Sequence, residues 1–393
     1  MKIVYLSDLA FEGSGYSHIT INLCQGLVEL GHDVKVLGFS YQNEQHPWGF
    51  SVIPVTDFGA ALATMNNLVG LWQPDVIVVG LDIPQQGNML DNFIKYQVPY
   101  IAITPLESGP LCMQWMMSLM RTTKLFVISQ YGADEINKED VSAEHLQIGI
   151  DSDVWKKRTS EDYMDARRTL FGIEDDTFII LTVADNQERK NLSGAMESLV
   201  MLKERMGQDF KFRWVLVTRP GSQIGWKLLD AAVKLGLVEE YVELTRGLSF
   251  DKLWSLYASA DAFFISSKAE GLGMPVMEAM SVGVPVVGSD VGAITEHLSD
   301  NRGYLVPSEY EFIYPYGNAT SHFMSKEKAA DALELIAKGL GSPKAEARVK
   351  KARAYIETRT WDGPVAQLDE AIRSIVDVKK KPLEEDKITA AIV

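Results

Sequence analysis

The sequence has few of the features that mark secreted, metal-binding or membrane-spanning proteins. Its 393 residues include two cysteines, Cys24 and Cys112, which are too few for a disulfide framework or a cysteine-based metal cluster. The six histidines have no spacing typical of metal ligands. No apolar run reaches the roughly 18 residues of a membrane-spanning helix, and the N-terminus has neither a basic region nor a cleavage site. We therefore expect a cytoplasmic protein without a metal site.

Positive charge is also scarce, above all in the first part of the chain. Residues 1–155 contain 6 Lys and Arg against 17 Asp and Glu, so they carry −11 of the total formal charge of −15. An acidic surface disfavours non-specific attraction to nucleic acid or to an anionic membrane, although it does not exclude a local basic groove. Nucleic-acid and membrane partners are therefore disfavoured.

Short β-branched runs alternate with amphipathic helical stretches, a pattern typical of α/β folds in which helices cover parallel sheets. The predicted strands lie at 2–6, 33–39, 75–80, 100–104 and 124–129, and then at 177–183, 212–218, 241–244, 261–266 and 285–288. A polar stretch near 153–160 separates the two series. We predict two Rossmann-like, doubly wound domains facing across a cleft, residues 1–155 and 156–375, and a C-terminal tail, 376–393, that could pack back on the first domain.

Loops that follow the strands are candidate ligand sites, because ligands of open parallel sheets bind beyond the carboxyl ends of the strands. The first such loop lies in SDLAFEGSGYSHIT, residues 7–20. Gly13 and Gly15 let the backbone turn its N–H groups toward a ligand, and a helix that starts near Tyr16 attracts an anion. The full G-x-G-x-x-G spacing is absent, so an ordinary turn between strand and helix is the alternative.

The second candidate loop is VADNQERKNL, residues 183–192. Arg189 and Lys190 stand side by side at a predicted helix start, and Asn186 and Gln187 can donate and accept hydrogen bonds. A guanidinium and an ammonium at a helix N-terminus suit a diphosphate. A solvated, charged helix cap is the alternative.

The third candidate loop is EGLGMPVMEAM, residues 270–280. Gly271 and Gly273 expose backbone N–H groups, and Pro275 suits the first turn of a helix. Glu270 in the loop and Glu278 about one turn into the helix can both face one crevice. Carboxylates repel phosphate but accept hydrogen bonds from vicinal hydroxyls, so the combination favours a sugar nucleotide. The alternative is a loop charge and a glutamate on the helix surface.

These stretches resemble a known family, the GT-B glycosyltransferases of the retaining family 4. The likeness is strongest in DAFFISSKAEGLGMPVMEAMSVGVPVVGSDVGAITEHLSDNRGYLVP, residues 261–307, which contains the E-x7-E pair of the donor site. The second loop, GSGYSHITINLCQGLVELGHDVKVL near the start and HLQIGIDSDVW at 145–155 add to it. The resemblance implies retaining transfer of a sugar from a nucleotide-diphosphate sugar to a glycan, small molecule or other hydroxyl acceptor. No cofactor is implied, and without a DxD-like loop we expect no metal requirement.

The resemblance also implies roles for the candidate residues. Glu270 would bind hydroxyls of the donor sugar, and Glu278 would bind the ribose hydroxyls. Arg189 and Lys190 would stabilise the leaving diphosphate electrostatically. The other donor-binding candidates are Gly13, Ser14, Gly15, Tyr16, Asn186, Gly271, Leu272, Gly273, Met274, Pro275 and Val276.

The sequence departs from the family pattern in two places. Many members carry an arginine where this chain has Asp185 or Asn186, and Lys268 or Arg246 could supply that phosphate contact. Many also carry a histidine near the reacting carbon, where this chain reads ITPLESGP. Glu107 is the candidate catalytic residue of that stretch.

The stretch CMQWMMSLM, residues 112–120, predicts a helix with a methionine-rich face. Such a face could line an acceptor or lipid site, but it is more typical of a protein core.

Two other functions stay open at this point. One is a nucleotide-sugar epimerase or hydrolase on the same fold, and the other is a non-catalytic module that binds sugar nucleotides.

Overall fold

The computed structural model describes residues 1–10, 14–173, 176–219, 225–315, 317 and 319–380. Its strands are β1 Lys2–Asp8, β2 Asp33–Phe39, β3 Ser51–Val55, β4 Val76–Gly80, β5 Tyr100–Thr104, β6 Lys124–Val127, β7 Glu144–His145, β8 Phe178–Val183, β9 Phe212–Thr218, β10 Tyr241–Thr245, β11 Ala262–Ile265, β12 Val286–Ser289, β13 Tyr304–Val306, β14 Ser308–Ile313 and β15 Thr320–Met324. Its α-helices are α1 Gly15–Glu29, α2 Phe58–Asn67, α3 Ile83–Phe93, α4 Met113–Leu119, α5 Gln130–Asn137, α6 Ser160–Phe171, α7 Leu192–Met206, α8 Leu228–Lys234, α9 Phe250–Ser259, α10 Met274–Val282, α11 Gly292–Leu298, α12 Lys326–Gly339, α13 Pro343–Glu357 and α14 Asp362–Lys380.

Two sheets with doubly wound strand orders carry the fold. The first has the order β3-β2-β1-β4-β5-β6-β7, and the second has the order β10-β9-β8-β11-β12-β13. In both sheets the order reverses beside the first strand of the series, β1 or β8, whose two neighbours are parallel to it. The predicted α/β class with two Rossmann-like parallel sheets is confirmed.

The central strands are buried on both faces because helices cover them. The run VIVVG of β4 and the run AFFI of β11 are buried throughout, which explains their continuous apolar sequence. The core of the second sheet continues into α7 and α12, where Leu199, Leu202 and Leu333 are fully buried.

By their contacts the described residues form two compact units. The first comprises Met1–Thr104, Met117–Phe126 and the chain from Asp362, and the second comprises Pro105–Met116 and Val127–Trp361. The predicted boundaries, 1–155, 156–375 and 376–393, follow the rhythm of the strands and stay a prediction. Residues 381–393 of the predicted tail lie outside the described residues.

Within the first unit, α14 packs against α1. A Cβ placed on Gly26 of α1 would lie 2.5 Å from one methyl carbon of Val365, so the two helices meet where α1 has no side chain. Beside this contact, His32 Nε2 lies 2.6 Å from Asp369 Oδ1. The buried side chains of Leu368 and Ile372 complete the apolar face of α14.

The methionine-rich stretch forms α4, and its methionines are largely exposed. Met113, Met117 and Met120 keep 71%, 59% and 60% of their surface accessible, whereas Leu119 is buried. The core interpretation of this stretch is therefore wrong for these three side chains, because the short helix buries only Leu119 at its C-terminal end. Among the helices in the described part of the chain, none is long and apolar enough to cross a membrane.

Candidate active site

The second candidate loop follows β8 and is tied to the end of β11. It contains a 3-10 turn, Glu188–Lys190, directly before α7. Ser266, just beyond β11, donates its hydroxyl to the backbone carbonyls of Lys190 and Asn191 at 2.8 and 3.1 Å. The turn therefore presents Arg189 and Lys190 to the loop that follows β11.

The third candidate loop runs from β11 to α10. The Lys268 N–H donates to Arg189 O at 2.8 Å, which joins the two loops through their backbones. Gly273 stands directly before α10 with φ +76°, a left-handed conformation that suits glycine, and Pro275 lies in the first turn.

Glu270 is the centre of the charged cluster. Its side chain is 7% exposed, and Lys190 Nζ donates to Oε2 at 2.6 Å, while Ser267 Oγ donates to the same oxygen at 3.0 Å. Arg189 Nη1 lies 3.5 Å from Oε1. Burial alone would raise the pKa of Glu270, but the charges of Lys190 and Arg189 and the hydrogen bonds from Lys190 and Ser267 outweigh it and lower the pKa to about 2. Glu270 is therefore an ionised carboxylate.

Glu278 is also buried, in a different environment. It is 6% exposed on α10, and the Tyr257 hydroxyl donates to its Oε2 at 2.6 Å. Burial raises the pKa of Glu278 to about 7, and the hydrogen bond from Tyr257 offsets only part of that rise. Trp155 packs edge-on against the Tyr257 ring at 5.5 Å. The alternative of a glutamate on the helix surface is therefore wrong.

Glu107, the candidate from the ITPLESGP stretch, lies beside the same cluster. Its Oε1 is 3.5 Å from Arg189 Nη2, and its backbone carbonyl accepts the Glu270 N–H at 3.2 Å. Arg189 therefore lies between two carboxylates, and its Nη1 also donates to Ala269 O at 2.7 Å.

Gly292, the first residue of α11, packs against the backbone of the third candidate loop at Glu270. The next residue, Ala293, donates its N–H to Glu270 O at 3.0 Å. A Cβ on Gly292 would lie 2.3 Å from the same carbonyl oxygen, and the residue has φ +49°. This position therefore requires glycine for space and for backbone conformation.

His297 supports the loop and was not predicted as a site residue. Its Nε2 lies 2.7 Å from Leu272 O, and burial, followed by the Arg359 charge, lowers its pKa to about 3. The ring is therefore neutral, and Nε2–H donates to the carbonyl. His297 is 25 residues from Leu272 in the sequence, so no local signal connects the two residues.

Of the candidate positions Leu272 to Val276 in the glycine loop, two cannot offer a backbone N–H to a ligand. Pro275 has no N–H, and the Val276 N–H donates within the turn to Gly273 O at 2.9 Å. The donors available to an anion from this set are the N–H groups of Leu272, Gly273 and Met274.

Three polar residues near the second loop have structural partners. Asn186 accepts the Trp226 N–H at 2.9 Å and donates to Trp226 O at 2.7 Å, so its side chain fixes the backbone there. Arg246 donates to Asp185 at 2.8 Å, and Lys268 Nζ pairs with Glu188. The two proposed substitutes for the missing arginine are thus both bonded to carboxylates.

The first candidate loop belongs to the first unit. Ser14 caps α1 and accepts the Ser17 N–H at 3.1 Å, and its hydroxyl donates to Asp8 at 3.0 Å. Gly15 begins the helix, and the Tyr16 hydroxyl donates to Asp82. Gly13 lies outside the described residues.

Within the described ranges, no group of three or more His, Cys, Asp or Glu side chains is arranged to hold a metal ion. That the reaction needs no metal stays a prediction.

A family comparison identifies the second unit's central segment. The sequence model described as "Glycosyl transferases group 1" matches residues 165–312, which include Arg189, Lys190, Glu270 and Glu278. The resemblance to group 1 glycosyltransferases is therefore confirmed for this segment, while the retaining family 4 stays a prediction.

Curated relatives and solved structures extend the comparison. The serotype-specific mannosyltransferase WbdA of Escherichia coli is 26% identical over 197 residues, 49% of this chain and 24% of that protein. The O-antigen chain mannosyltransferase B of Escherichia coli is 31% identical over 135 residues, 34% of each chain. This chain thus spans about a quarter to a third of these relatives. The structure of Anabaena Alr3699/HepE in complex with UDP and glucose has a TM-score of 0.74 at 17% identity and covers 95% of this chain and 100% of that one, which confirms the GT-B fold.

Proposed function

We propose that the chain transfers a sugar from a nucleotide-diphosphate sugar to an acceptor hydroxyl, because residues 165–312 match the sequence model of the group 1 glycosyl transferases. The observation that carries the proposal is the buried contact of Glu270 with Lys190 at 2.6 Å and with Arg189 at 3.5 Å. It puts a carboxylate for sugar hydroxyls beside two cations for a diphosphate.

The charge arrangement suits a reaction that releases a diphosphate. The Lys190 ammonium has three N–H donors, and Glu270 takes one of them, so further donors can meet phosphate oxygens. The N–H groups of Leu272, Gly273 and Met274, before and at the start of α10, add fixed dipoles of the same sign. Donors that are already in place stabilise developing negative charge without rearranging during the reaction.

The carboxylates take the hydroxyl groups of the donor in this proposal. Glu270 is ionised at neutral pH and accepts hydrogen bonds from the sugar, and Glu278 binds the ribose hydroxyls. Glu107, which shares Arg189 with Glu270, lies on the acceptor side of the same cluster.

The finer features of the reaction are part of the proposal. The bond between the anomeric carbon and the diphosphate oxygen breaks, the acceptor oxygen bonds to the same face, and its proton passes to a phosphate oxygen. Configuration is then retained, as in family 4, and no metal or cofactor takes part. The acceptor is a glycan or another hydroxyl compound, and a cytoplasmic location stays a prediction. Proton NMR of the first product reports the anomeric configuration, and an inverted product would contradict retention.

Thermal unfolding with added nucleotides tests the donor site directly. A ligand that binds only the folded protein raises its melting temperature, by an amount that corresponds to about 2.7 kcal/mol at one hundred times its Kd. We expect stabilisation by at least one of UDP, GDP, UDP-glucose and GDP-mannose. If none of these nucleotides or the other common nucleotide sugars raises the melting temperature, the assignment of the donor site is wrong.

Substitution of Lys190 tests the role of the cation in transfer. Lys190→Met should lower kcat by about 100-fold or more, because one donor to the leaving group is lost. Lys203→Met is a matched control. Lys203 lies near the C-terminal end of α7, away from the candidate site, and its Nζ also pairs with a glutamate, at 2.7 Å from Glu240 Oε1. Conversion of the nucleotide sugar without an acceptor would favour an epimerase or a hydrolase instead. Nucleotide binding without any turnover would favour a binding module.

A further inference from the structure

A two-stranded hairpin interrupts the second unit between its last sheet strand and α12. β14 and β15 pair antiparallel, with Tyr310 opposite Phe323 and Phe312 opposite Ser321. The family match ends at residue 312, inside β14, so the rest of the hairpin lies beyond the matched segment. The hairpin is therefore a feature that the family assignment does not explain.

The hairpin is bonded to both loops that carry the candidate catalytic carboxylates. The His322 N–H donates to Lys268 O at 2.9 Å, two residues before Glu270. The Thr320 N–H donates to Gly109 O at 2.9 Å, two residues after Glu107. The edge of β15 that does not pair with β14 is thus hydrogen-bonded to the two loops of the candidate active site.

A packed contact fixes the tip of the hairpin. Gly317 lies so close to the Trp115 indole that a Cβ would come within 2.5 Å of the ring. The hydroxyl of Ser108 also donates to the backbone carbonyl of Thr320. These contacts hold the hairpin in place without using the side chains of β14.

Aromatic side chains of β14 remain accessible next to this anchored edge. Tyr310 and Phe312 lie on one face of the hairpin and are 55% and 53% exposed. The Tyr310 ring stacks on Phe323 at 4.5 Å between centroids, and Lys268 Nζ lies 4.2 Å from the centroid of the Phe323 ring. Two strand spacings separate β14 from the Lys268 backbone, about 10 Å. A row of aromatic rings therefore extends from the charged cluster outward over a length that a short oligosaccharide can cover.

We propose that Tyr310 and Phe312 form a platform that binds a sugar residue of an uncharged acceptor glycan, with the aromatic rings against the C–H face of the sugar. Glu311 lies on the opposite face of β14 and pairs with His322 at 3.3 Å, so the platform consists of the two rings alone. The inference rests on the proposed transfer function, for which the platform orients the acceptor beside the donor site.

The charge of the hairpin favours a neutral glycan over a lipid surface. β14 carries two glutamates and no lysine or arginine. Exposed aromatic residues with basic neighbours suit an anionic membrane, whereas acidic neighbours repel it. A polyhydroxylated, uncharged ligand can stack on the rings and is not repelled by the acidic strand.

Binding to immobilised glycans tests the platform with the full chain. The probes are neutral trisaccharides ending in mannose, glucose or galactose, and vesicles of phosphatidylcholine and phosphatidylglycerol serve as the lipid comparison. We expect Phe312→Ala to weaken glycan binding about tenfold, as loss of one stacked ring implies. Phe312→Trp and Tyr310→Phe should bind as the parent does, because both keep the platform. Leu335→Ala on α12, a side chain that is 56% exposed in the same unit, is the matched control.

The same variants separate this inference from the proposed function. The increase in melting temperature with a nucleotide sugar should be equal in the parent and in Phe312→Ala, since the donor residues are untouched. Absence of that increase in the parent contradicts the proposed function, whatever the glycan result. The platform is contradicted if Phe312→Ala binds glycans as the parent does, if the parent binds none of the probes, or if Phe312→Ala removes binding to vesicles alone.

Discussion

Glu270 and Glu278 have the same side chain and similar burial, yet their environments drive their pKa values apart. Lys190 and Arg189 compensate the burial of Glu270, and its pKa falls to about 2. Glu278 has a tyrosine hydroxyl as its partner, which donates one hydrogen bond but no charge, and its pKa rises to about 7. One carboxylate is thus ionised throughout the neutral range, while the other changes its protonation state within it.

The raised pKa of Glu278 predicts a decrease in stability as the pH rises. Below pH 4.5 the side chain is protonated in both folded and unfolded chains, and between 4.5 and 7 only the folded chain keeps the proton. Stability is therefore lost through this window and is constant above it. Glu278→Gln removes the effect, so it should be more stable than the parent by about 3 kcal/mol at pH 8 and equal to it near pH 4.5. Urea unfolding at each pH measures the difference, and a constant difference across the range would contradict the raised pKa.

The same variant tests the ribose assignment. If ionised Glu278 accepts the ribose hydroxyls, the affinity of the parent for UDP-glucose or GDP-mannose increases as the pH rises through 7. Glu278→Gln should bind the same ligand more weakly and without that dependence. Glu309→Gln on the exposed hairpin strand is the control for a general effect of lost charge.

At the scale of the element, the loop from β11 to α10 depends on the N-terminus of α11. Ala293 donates to Glu270 O, and Gly292 makes room for the same carbonyl, so both residues set the position of the Glu270 carbonyl. His297, one turn further along α11, holds Leu272 in the same way. The helix therefore acts as a positioning element for the loop.

Two glycine substitutions separate this positioning from ordinary backbone strain. Gly292 and Gly236 both have positive φ, +49° and +70°, so alanine costs about 1 kcal/mol at either position. Only Gly292→Ala also places a Cβ 2.3 Å from Glu270 O, whereas Gly236 has open space. We expect both variants to lose stability, but only Gly292→Ala to lose nucleotide-sugar affinity, about tenfold or more. Calorimetric titration of the two variants measures this, and equal affinities would show that the loop does not depend on Gly292.

The elements that the sequence predicted are those with strong local patterns. β2 and β5 were predicted with their full bounds. The apolar run of β5 is buried throughout, as fits a strand that is covered on both faces, and β2 is buried at Val34 and at 36–38. The hairpin of β14 and β15 was missed. Its alternating sequence, SEYEFI, is polar and aromatic, and its position depends on distant contacts with Lys268, Gly109 and Trp115.

The candidate site was predictable to the level of its loops. Arg189, Lys190 and Glu270 stand in glycine-rich or charged loops after strands, and the chain order of the strands brings these loops together. The partners were not predictable, since the contacts of Glu278 with Tyr257 and of Glu270 with Glu107 join positions that are far apart in sequence. Asn186 shows the converse error of local reasoning, because a polar side chain in a promising loop holds Trp226 instead.

At the scale of the whole molecule, the chain leaves the first unit and returns to it through α14. The contact of Gly26 with Val365 tests the packing of α14 on α1, because alanine should destabilise the protein at Gly26 and stabilise it at an exposed glycine of α14. Alanine at an exposed helical glycine is favourable by up to about 1 kcal/mol, and we expect a gain of this sign for Gly363→Ala in the first turn of α14, where a Cβ meets open space. Gly26→Ala should instead destabilise the protein by about 1–3 kcal/mol, because the new Cβ lies 2.5 Å from Val365.

The double variant decides whether the contact itself is responsible. Val365→Ala alone loses buried methyl groups and should be less stable than the parent. In that background Gly26→Ala no longer meets a methyl carbon, so the substitution should become neutral or stabilising, and the double-mutant cycle should give a coupling of at least about 1 kcal/mol. Thermal unfolding of the four variants measures the coupling. Additive effects, or a Gly26→Ala variant as stable as Gly363→Ala, would mean that α14 does not pack on α1 through this glycine.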